Sequence, residues 1–515
     1  MSYLDSVADG QPKVYTTPFA KGESTSSLLA AWKAELKSIA TKWPSLYAFE
    51  LDLAKKVGPL SVRVPLKQRI QDVNHYYEDI LLPQVPISSR ATDSVVREFS
   101  DLRGLTSRSD KSTIENMKLS TSSGCPYYRK RRTVLKDTYP MSQISEHVDS
   151  QNNLYYTQRL ANSEYKMAAI LGWRGQEGGP KPSDVKQRVV WMFPFSVNVK
   201  ELSVYQPLIE GAQKHNLVPA WISNEEVDVR ITNLFDSKRS SDLIVCTDFS
   251  KFDQHFNPMM QDAAKQVLEM LLHPRESDWL QNTFPVKYNI PLILQPDQIR
   301  VGRHGMGSGS GGTNCDETLA HRALQYEAAQ LKGAELNPNS QCLGDDGILT
   351  YPGITVKDVV DAYTSHGLEM NTSKQYASTH DCVYLRRWHH KDYRVRGVCV
   401  GVYSTCRALG KMRYTERYQD PEYWDAKGVC LRYLSILENV KYHPLREQFV
   451  DFCMKRDKYR LGVDIPGFLD NIQSIAKEHM NSGQSLGSYM DSVRDNGNPI
   501  VGIANWWIVQ YLKSK

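Results

Sequence analysis

The 515-residue sequence contains no run approaching the ~20 consecutive apolar residues that a bilayer-crossing helix needs, so no membrane role is expected. Its first residues, MSYLDSVADG, lack the basic start and apolar block of a secretory leader, which makes the cytosol the default expectation. None of the nine cysteines falls in a C-x-x-C pair, which argues against a disulfide framework or a structural zinc site. No internal repeat is present, so a solenoid is excluded. Charge of one sign is also scarce: 63 Lys+Arg against 58 Asp+Glu leaves a net +5, compatible with a nucleic-acid partner but too small to imply one. A 41% hydrophobic and 10% aromatic content excludes a disordered or fibrous chain. The length suggests roughly three lobes of about 150 residues.

The elements follow from periodicity and punctuation. Residues 26–39 carry Leu29, Trp32, Leu36 and Ile39 at helical spacing. The Gly/Pro-rich stretch 172–182 reads as a mobile loop, and the β-branched and aromatic stretch 185–195 as a strand. Residues 243–246 (LIVC) form a short continuous apolar run, the mark of a strand buried on both faces, ending at Thr247-Asp248. Asn257-Pro258 reads as a helix cap followed by proline in the first turn. A helix is expected over 314–331, strand–turn–strand over 341–351 with Gly-Asp-Asp-Gly at the bend, and a helix over 356–366 ending at Gly367. Short strands follow through Tyr403, and helices dominate the remainder. The class is α+β, a few antiparallel strands with helices between two mostly helical lobes.

The informative constellation is Asp248 at the end of a buried strand and Asp345-Asp346 at a hairpin tip. Phosphoryl transfer asks a protein mainly for positioning and charge neutralisation. Two Mg²⁺ ions ~3.5–4 Å apart would activate a hydroxyl and steady a leaving pyrophosphate. Such ions take oxygen ligands, with phosphates and water completing the shell. Asp-Gly is also a strong hairpin signal, so Gly344-Asp345-Asp346-Gly347 taken alone reads more readily as a plain turn, and it is the pairing with Asp248 that makes the set specific. The glycines of residues 307–312 formally satisfy G-x-G-x-x-G, but no buried apolar strand precedes them, which removes a dinucleotide fingerprint.

The order of further segments narrows the choice. Residues 248–253 (DFSKFD) resemble polymerase motif A in its D-x4-D form, 305–314 (GMGSGSGGTN) motif B, and 343–347 (LGDDG) motif C. Residues 366–370 with Lys374 resemble motif D, and 384–388 (YLRRW) motif E. Residues 186–190 (KQRVV) resemble motif F, and 121–127 (TSSGCPY) motif G. This ordered set is similar to that of viral RNA-dependent RNA polymerases, and DFSKFDQHF and VVWMFPFSVNV resemble the picobirnavirus branch, replicases of double-stranded RNA viruses.

The resemblance implies a right-hand fold. Residues 1–240 would form the N-terminal region and fingers, with 274–304 partly fingers. Residues 241–273 and 305–400 would form the palm, and 401–515 the thumb and tail. It implies two Mg²⁺ or Mn²⁺ ions on Asp248 and Asp345, with Asp346 contributing less directly, and Lys374 as proton donor to pyrophosphate. Lys186 and Arg188, facing one side of their strand, would hold the triphosphate. Asp253, Ser308 and Thr313 are candidates for the ribose 2′-hydroxyl, with Gly309 in the same loop. Many relatives carry a sugar-reading asparagine where this chain has Glu317, and Asn314 is the available amide. Gly307, replacing a usual proline, should loosen this loop. Ser122, Gly124, Tyr127, Arg129 and Arg131 suit a template track combining charge with stacking, and Arg386 and Arg387 suit the nascent strand. Partners would be RNA template and product, ribonucleoside triphosphates and a viral capsid protein, without a membrane, in the virion interior and host cytoplasm. The aromatic stretch 500–512 reads as a packed tail element, or as a stacking platform for primer-independent starts through Trp506 or Trp507.

Two rivals use the same residues differently. A reverse transcriptase carries a tyrosine-led motif C, unlike Cys342-Leu343-Gly344 here. An RNA-binding, capsid-associated structural protein would use the basic segments and be indifferent to the three aspartates.

Overall fold

The apolar run before Asp248 becomes the strand Ile244–Thr247, buried at every position. In this computed structural model, which describes residues 2–420, 424–481 and 502–515, that burial is possible because the strand has neighbours on both edges. Asp346–Leu349 pairs antiparallel on one side and Tyr376–Ser378 on the other, while Gln341–Leu343 closes the far edge. The helices Pro258–Leu271, Thr313–Gln330 and Val356–Thr364 share the sheet's hydrophobic core. Asn257 caps the first of these as expected, its side chain accepting from the amides of Met259 and Met260, with Pro258 in the first turn.

A second four-stranded sheet runs in the order Lys186–Met192, Ala169–Gln176, Leu292–Gln295, Gln298–Arg300. The expected mobile loop over 172–182 is corrected here. Residues 172–176 lie in a strand, hydrogen-bonded to residues 186–190 with Trp173 opposite Val189. The β-branched strand recruits the glycine-rich one through the backbone ladder, which composition does not report.

The third core crosses the chain. Residues of the helices Thr25–Leu36 and Pro44–Ala54 pack in one cluster with those of Ala426–Glu438 and Arg446–Met454. Glu50 ties the two ends together. Its fully buried carboxylate accepts from the hydroxyls of Ser404 and Thr405, from the Thr405 amide (3.0 Å) and from His443 Nε2 (3.2 Å). Burial pushes this carboxyl up, but His443 and the hydroxyls outweigh it and hold it below the usual range. Trp32 Nε1 donates to the same Thr405 hydroxyl at 2.7 Å.

The tail is packed in the same lobe. Glu438 accepts from the amides of Trp507 (3.3 Å) and Ile508 (2.9 Å), and the Trp507 ring stacks on Tyr511. Of the aromatic stretch 500–512, Ile500 and Val501 lie outside the described residues.

Removing Glu50 leaves buried donors and His443 without their acceptor. Glu50→Ala is expected to destabilise the lobe by about 3–5 kcal/mol. Thermal unfolding measures this, and limited proteolysis should show the first 60 or so residues released before the rest.

Candidate active site

The strand register gathers the acidic residues. Thr247 sits opposite Gly347, so Asp248 just beyond one strand, Asp345 just before the other and Asp346 at its first position emerge at the same end of the sheet. The Asp248 backbone is held by Gln375, whose amide oxygen accepts from the Asp248 amide (2.7 Å) while its Nε2 donates to the Asp248 carbonyl (2.9 Å). Lys251 then takes a left-handed conformation, turning the chain into the short helix Phe252–His255 that carries Asp253 back toward the site.

The hairpin bend rests on the helix Thr313–Gln330. Thr318 Oγ1 accepts from the Gly344 amide at 3.0 Å, and His321 Nδ1 donates to the Gly344 carbonyl at 2.8 Å. Burial pushes the His321 imidazole down to about 4, so it serves as a neutral donor. A β-carbon at residue 347 would lie 2.6 Å from the His321 ring, which is why glycine follows the two aspartates. Asp346 Oδ2 accepts from the Leu385 amide at 2.8 Å, tying the bend to the 384–388 turn.

Negative charge accumulates here. The Asp345 side chain reaches solvent at the bend but stands within a cleft. Enclosure by protein, then the charges of Asp253 and Asp248, push its carboxyl up, and Arg188 pulls it back. Burial and the neighbouring Asp345 push Asp346 up to about 7. Glu317 is buried and hydrogen-bonded to Asp253; burial, then that partner, then Asp345 drive its carboxyl well above the usual range. Two carboxyl groups in one hydrogen bond share one proton, so Glu317 is the protonated donor and Asp253 the acceptor. Facing them, Lys186 and Arg188 are exposed on one side of their strand. Lys186 is pushed down by partial burial and by Lys56 and Arg188, and up by Asp248, which locates it beside the acidic group.

The other expected residues fall into two sets. Ser308 and Gly309 are partly exposed in the loop before the helix, and a β-carbon at residue 309 would collide with the Trp191 carbonyl at 1.6 Å. Arg129, Arg386 and Lys374 are exposed, Lys374 in the single turn Thr372–Lys374. The Ser122 hydroxyl accepts from the Gly124 amide at 3.2 Å, shaping its own turn.

Other members have partners within the protein, and of these only Arg387 is buried. Arg387 is buried in a two-pronged ion pair with Asp228, both contacts at 2.9 Å, and does not reach the cleft. Tyr127 donates to the Asp137 carbonyl and shares a hydrogen bond with Ser163, so its ring is not a free platform. Arg131 donates to Asn198 Oδ1 (2.9 Å) and to the Lys118 carbonyl (3.0 Å), its guanidinium over the Phe195 ring. The Thr313 hydroxyl lies 3.2 Å from the Gly307 carbonyl and 3.3 Å from the Ser310 carbonyl, closing the loop. Asn314 accepts from Trp221 Nε1 at 2.7 Å, while Glu317 rather than Asn314 meets Asp253. Spacing alone gives neither an ion pair with a residue far away in sequence nor the side a loop residue faces. Gln375, Thr318 and His321 were missed because they act on backbone atoms, for which the sequence carries no signal.

The donor set fits hard divalent cations. Several carboxylates at one end of the sheet raise one another's proton affinity, the signature of negative charge without a counter-ion. Among the described residues no three His, Cys, Asp or Glu side chains form a ready-made cage. Mg²⁺-like ions need only one or two carboxylates and complete their shell with substrate phosphates and water.

Comparison with known proteins agrees with this geometry. Residues 62–400 match the family model for viral RNA-dependent RNA polymerase. A potential RNA-dependent RNA polymerase of human picobirnavirus is 55% identical over 519 aligned positions, covering 100% of this chain and 96% of the relative. The crystal structure of the RNA-dependent RNA polymerase of a human picobirnavirus superposes with a TM-score of 0.93, and that of its insertion-loop deletion mutant with 0.92. Both are 55% identical, covering 100% of this chain and 96% of theirs. The α+β architecture is thus the fingers–palm–thumb fold, and the carboxylates at the sheet's end belong to a member of the viral RNA-dependent RNA polymerase family, an RNA-directed RNA polymerase similar to those of picobirnaviruses.

Proposed function

We propose that this polymerase joins ribonucleotides by two-metal nucleotidyl transfer at the bend, with Asp248 and Asp345 as the principal ligands and Asp346 as a supporting one. The observation that carries this reading is the register that brings these carboxylates to one end of the sheet opposite Lys186 and Arg188. Polymerases of this family work with divalent metal ions on RNA and ribonucleoside triphosphates. When bound, the ions supply charge neutralisation for the entering hydroxyl and the leaving pyrophosphate.

The chain's own residues supply orientation. Arg188 presents a planar fork and Lys186 a point charge to the triphosphate. Asp253 accepts a hydrogen bond from the ribose 2′-hydroxyl, and Glu317, by donating its one carboxyl hydrogen to Asp253, holds that carboxylate in place for the task. Lys374 is the proton donor toward pyrophosphate. Exposed Arg129, with the turn at Ser122, and Arg386 line the RNA path by charge, so RNA binding should weaken with salt. The same reading places the enzyme in the virion interior and host cytoplasm, with a capsid protein as partner. Initiation without a primer is part of it.

The decisive experiment is ribonucleotide incorporation on a single-stranded RNA template, with Mg²⁺ and then Mn²⁺. Asp345→Ala and Asp346→Ala are expected to fall to background while still binding RNA. Equal activity in wild type and Asp345→Ala would defeat the assignment.

Glu317 gives a second test. Glu317→Ala should lower the preference for ribo- over 2′-deoxyribonucleotides roughly ten- to a hundredfold, the loss of a hydrogen bond to a charged group. Glu317→Gln should preserve it. Because burial and Asp253 raise the Glu317 carboxyl, it loses its proton only as the pH climbs toward that raised value. Wild-type preference should therefore fall as the pH rises while that of Glu317→Gln stays flat.

Cation binding should follow Asp346. With its carboxyl near 7 in the free protein, a proton must leave as a cation binds. Calorimetric affinity for Mn²⁺ should tighten as pH rises from about 6 to about 8, and Asp346→Asn should flatten that slope.

A further inference from the structure

The helix Phe195–Lys214 has no side-chain cap at its start, and what meets its first two turns comes from two distant segments. From one side comes the turn at residues 122–131. The Ser123 carbonyl accepts from the Phe195 amide at 2.8 Å, and the Arg131 guanidinium lies over the Phe195 ring. From the other side comes the loop at residues 307–312. Glu201, with no exposed surface, accepts from the Ser310 hydroxyl and from the Gly311 amide at 3.0 Å.

Asn198 stands between them. Its Oδ1 accepts from Arg131 Nη2 at 2.9 Å, and its Nδ2 donates to Glu201 Oε1 at 3.1 Å and to the Gly309 carbonyl at 3.3 Å. The orientation of this amide is forced. Arginine only donates, while a carbonyl and a carboxylate only accept, so oxygen must face Arg131 and nitrogen the loop. Among side chains of this size only an amide accepts on one side and donates twice on the other. At 5% exposure Asn198 has no water to replace a lost partner.

Arg131 adds a second observation. The residue is half-buried, burial lowers its proton affinity, and among the described residues no carboxylate pairs with its guanidinium and its Nε is without a partner. A cation held this way is anchored by neutral groups, and the Asn198 oxygen is one of the two atoms fixing it. The position of Arg131 and the position of the 307–312 loop therefore meet on one side chain.

We propose that Asn198 is a positioning residue that couples the 122–131 turn to the 307–312 loop, so that advance of the RNA by one nucleotide moves both together. This rests on the reading above that Ser122 and Arg129 face the template and that Ser308 and Gly309 face the nucleotide. On a preformed primer–template, the first addition needs no movement of RNA, whereas the second does. A coupling residue affects the second step, and a residue that merely supports the fold slows both alike.

Rapid-quench extension should therefore show Asn198→Leu with a lowered ratio of second to first addition rates. Asn198→Asp keeps an acceptor for Arg131 but has no hydrogen to give, and it sets a carboxylate against Glu201; it should show the same lowered ratio. If Asn198→Leu fails to fold, as thermal melting would reveal, Asn198→Asp and a double-mutant cycle carry the test. Arg131→Met and Ser310→Ala should each slow the second addition, and together by less than the product of the two, a departure of between about two- and a hundredfold. Strict multiplication of the two effects, or a ratio unchanged in Asn198→Asp, overturns the proposal. Template affinity of Arg129→Ala separates the underlying reading. An unchanged affinity removes the template track, whereas the cycle reports the coupling whichever surface the RNA follows.

Discussion

Everything at the catalytic end of this molecule depends on holding like charges together. Asp248, Asp253, Asp345 and Asp346 converge with Glu317, and their mutual repulsion is written in the raised proton affinities of three of them. Unit charges a few ångströms apart repel by about 1–4 kcal/mol even at dielectric constants of water to 20. Asp248, Asp346 and the peptide before Asp345 are fixed through backbone or neutral contacts rather than through a neutralising cation. Gln375 grips Asp248 by its peptide, Leu385 offers an amide to Asp346, and Thr318 and neutral His321 hold the Gly344 peptide. A lysine or arginine inside the cluster would relieve the repulsion and leave nothing for a cation to do. Lys186 and Arg188 stay instead on the facing strand, where they act on the carboxylates from across the cleft.

The same logic explains Glu317. A carboxylate there would add another negative charge to the group, so burial and neighbours force it to keep its proton. The neutral acid then resembles an amide in the one property that matters for holding the Asp253 carboxylate, a hydrogen to give. A change that looks radical in sequence is conservative in hydrogen-bonding terms once the environment has fixed the protonation state.

How far the sequence could be read follows from which forces act locally. The buried strand Ile244–Thr247, the Asn257-Pro258 cap and the strand–turn–strand around Asp345-Asp346 were legible because their signals sit within a few residues. The strand through Gly172 was not, because pairing with residues 186–190 overrides a composition typical of loops. Arg386 and Arg387 are indistinguishable in sequence. Yet left-handed backbone at Leu385 and Arg386 leaves one outside and sends the other into Asp228, a partner on the helix Asn224–Ser237. Glu50 joining Ser404 and His443 is illegible for the same reason, and it decides that the N-terminal helices belong with the C-terminal core.

These cross-chain ties share one chemical habit. Where the chain must bring far-apart segments into a fixed relation, it buries one polar side chain and surrounds it with donors or acceptors from both. Glu50 does so between the termini, Asp228 between its helix and the 384–390 hairpin, and Glu201 with Asn198 between the 122–131 turn and the 307–312 loop. Apolar packing would hold the same segments with less directional control, because hydrophobic contacts tolerate sliding and buried hydrogen bonds do not. For an enzyme whose template and nucleotide must stay in register to within one base, directional ties at the junctions and apolar cores elsewhere divide the work. The junctions fix where surfaces stand, and the cores keep them folded.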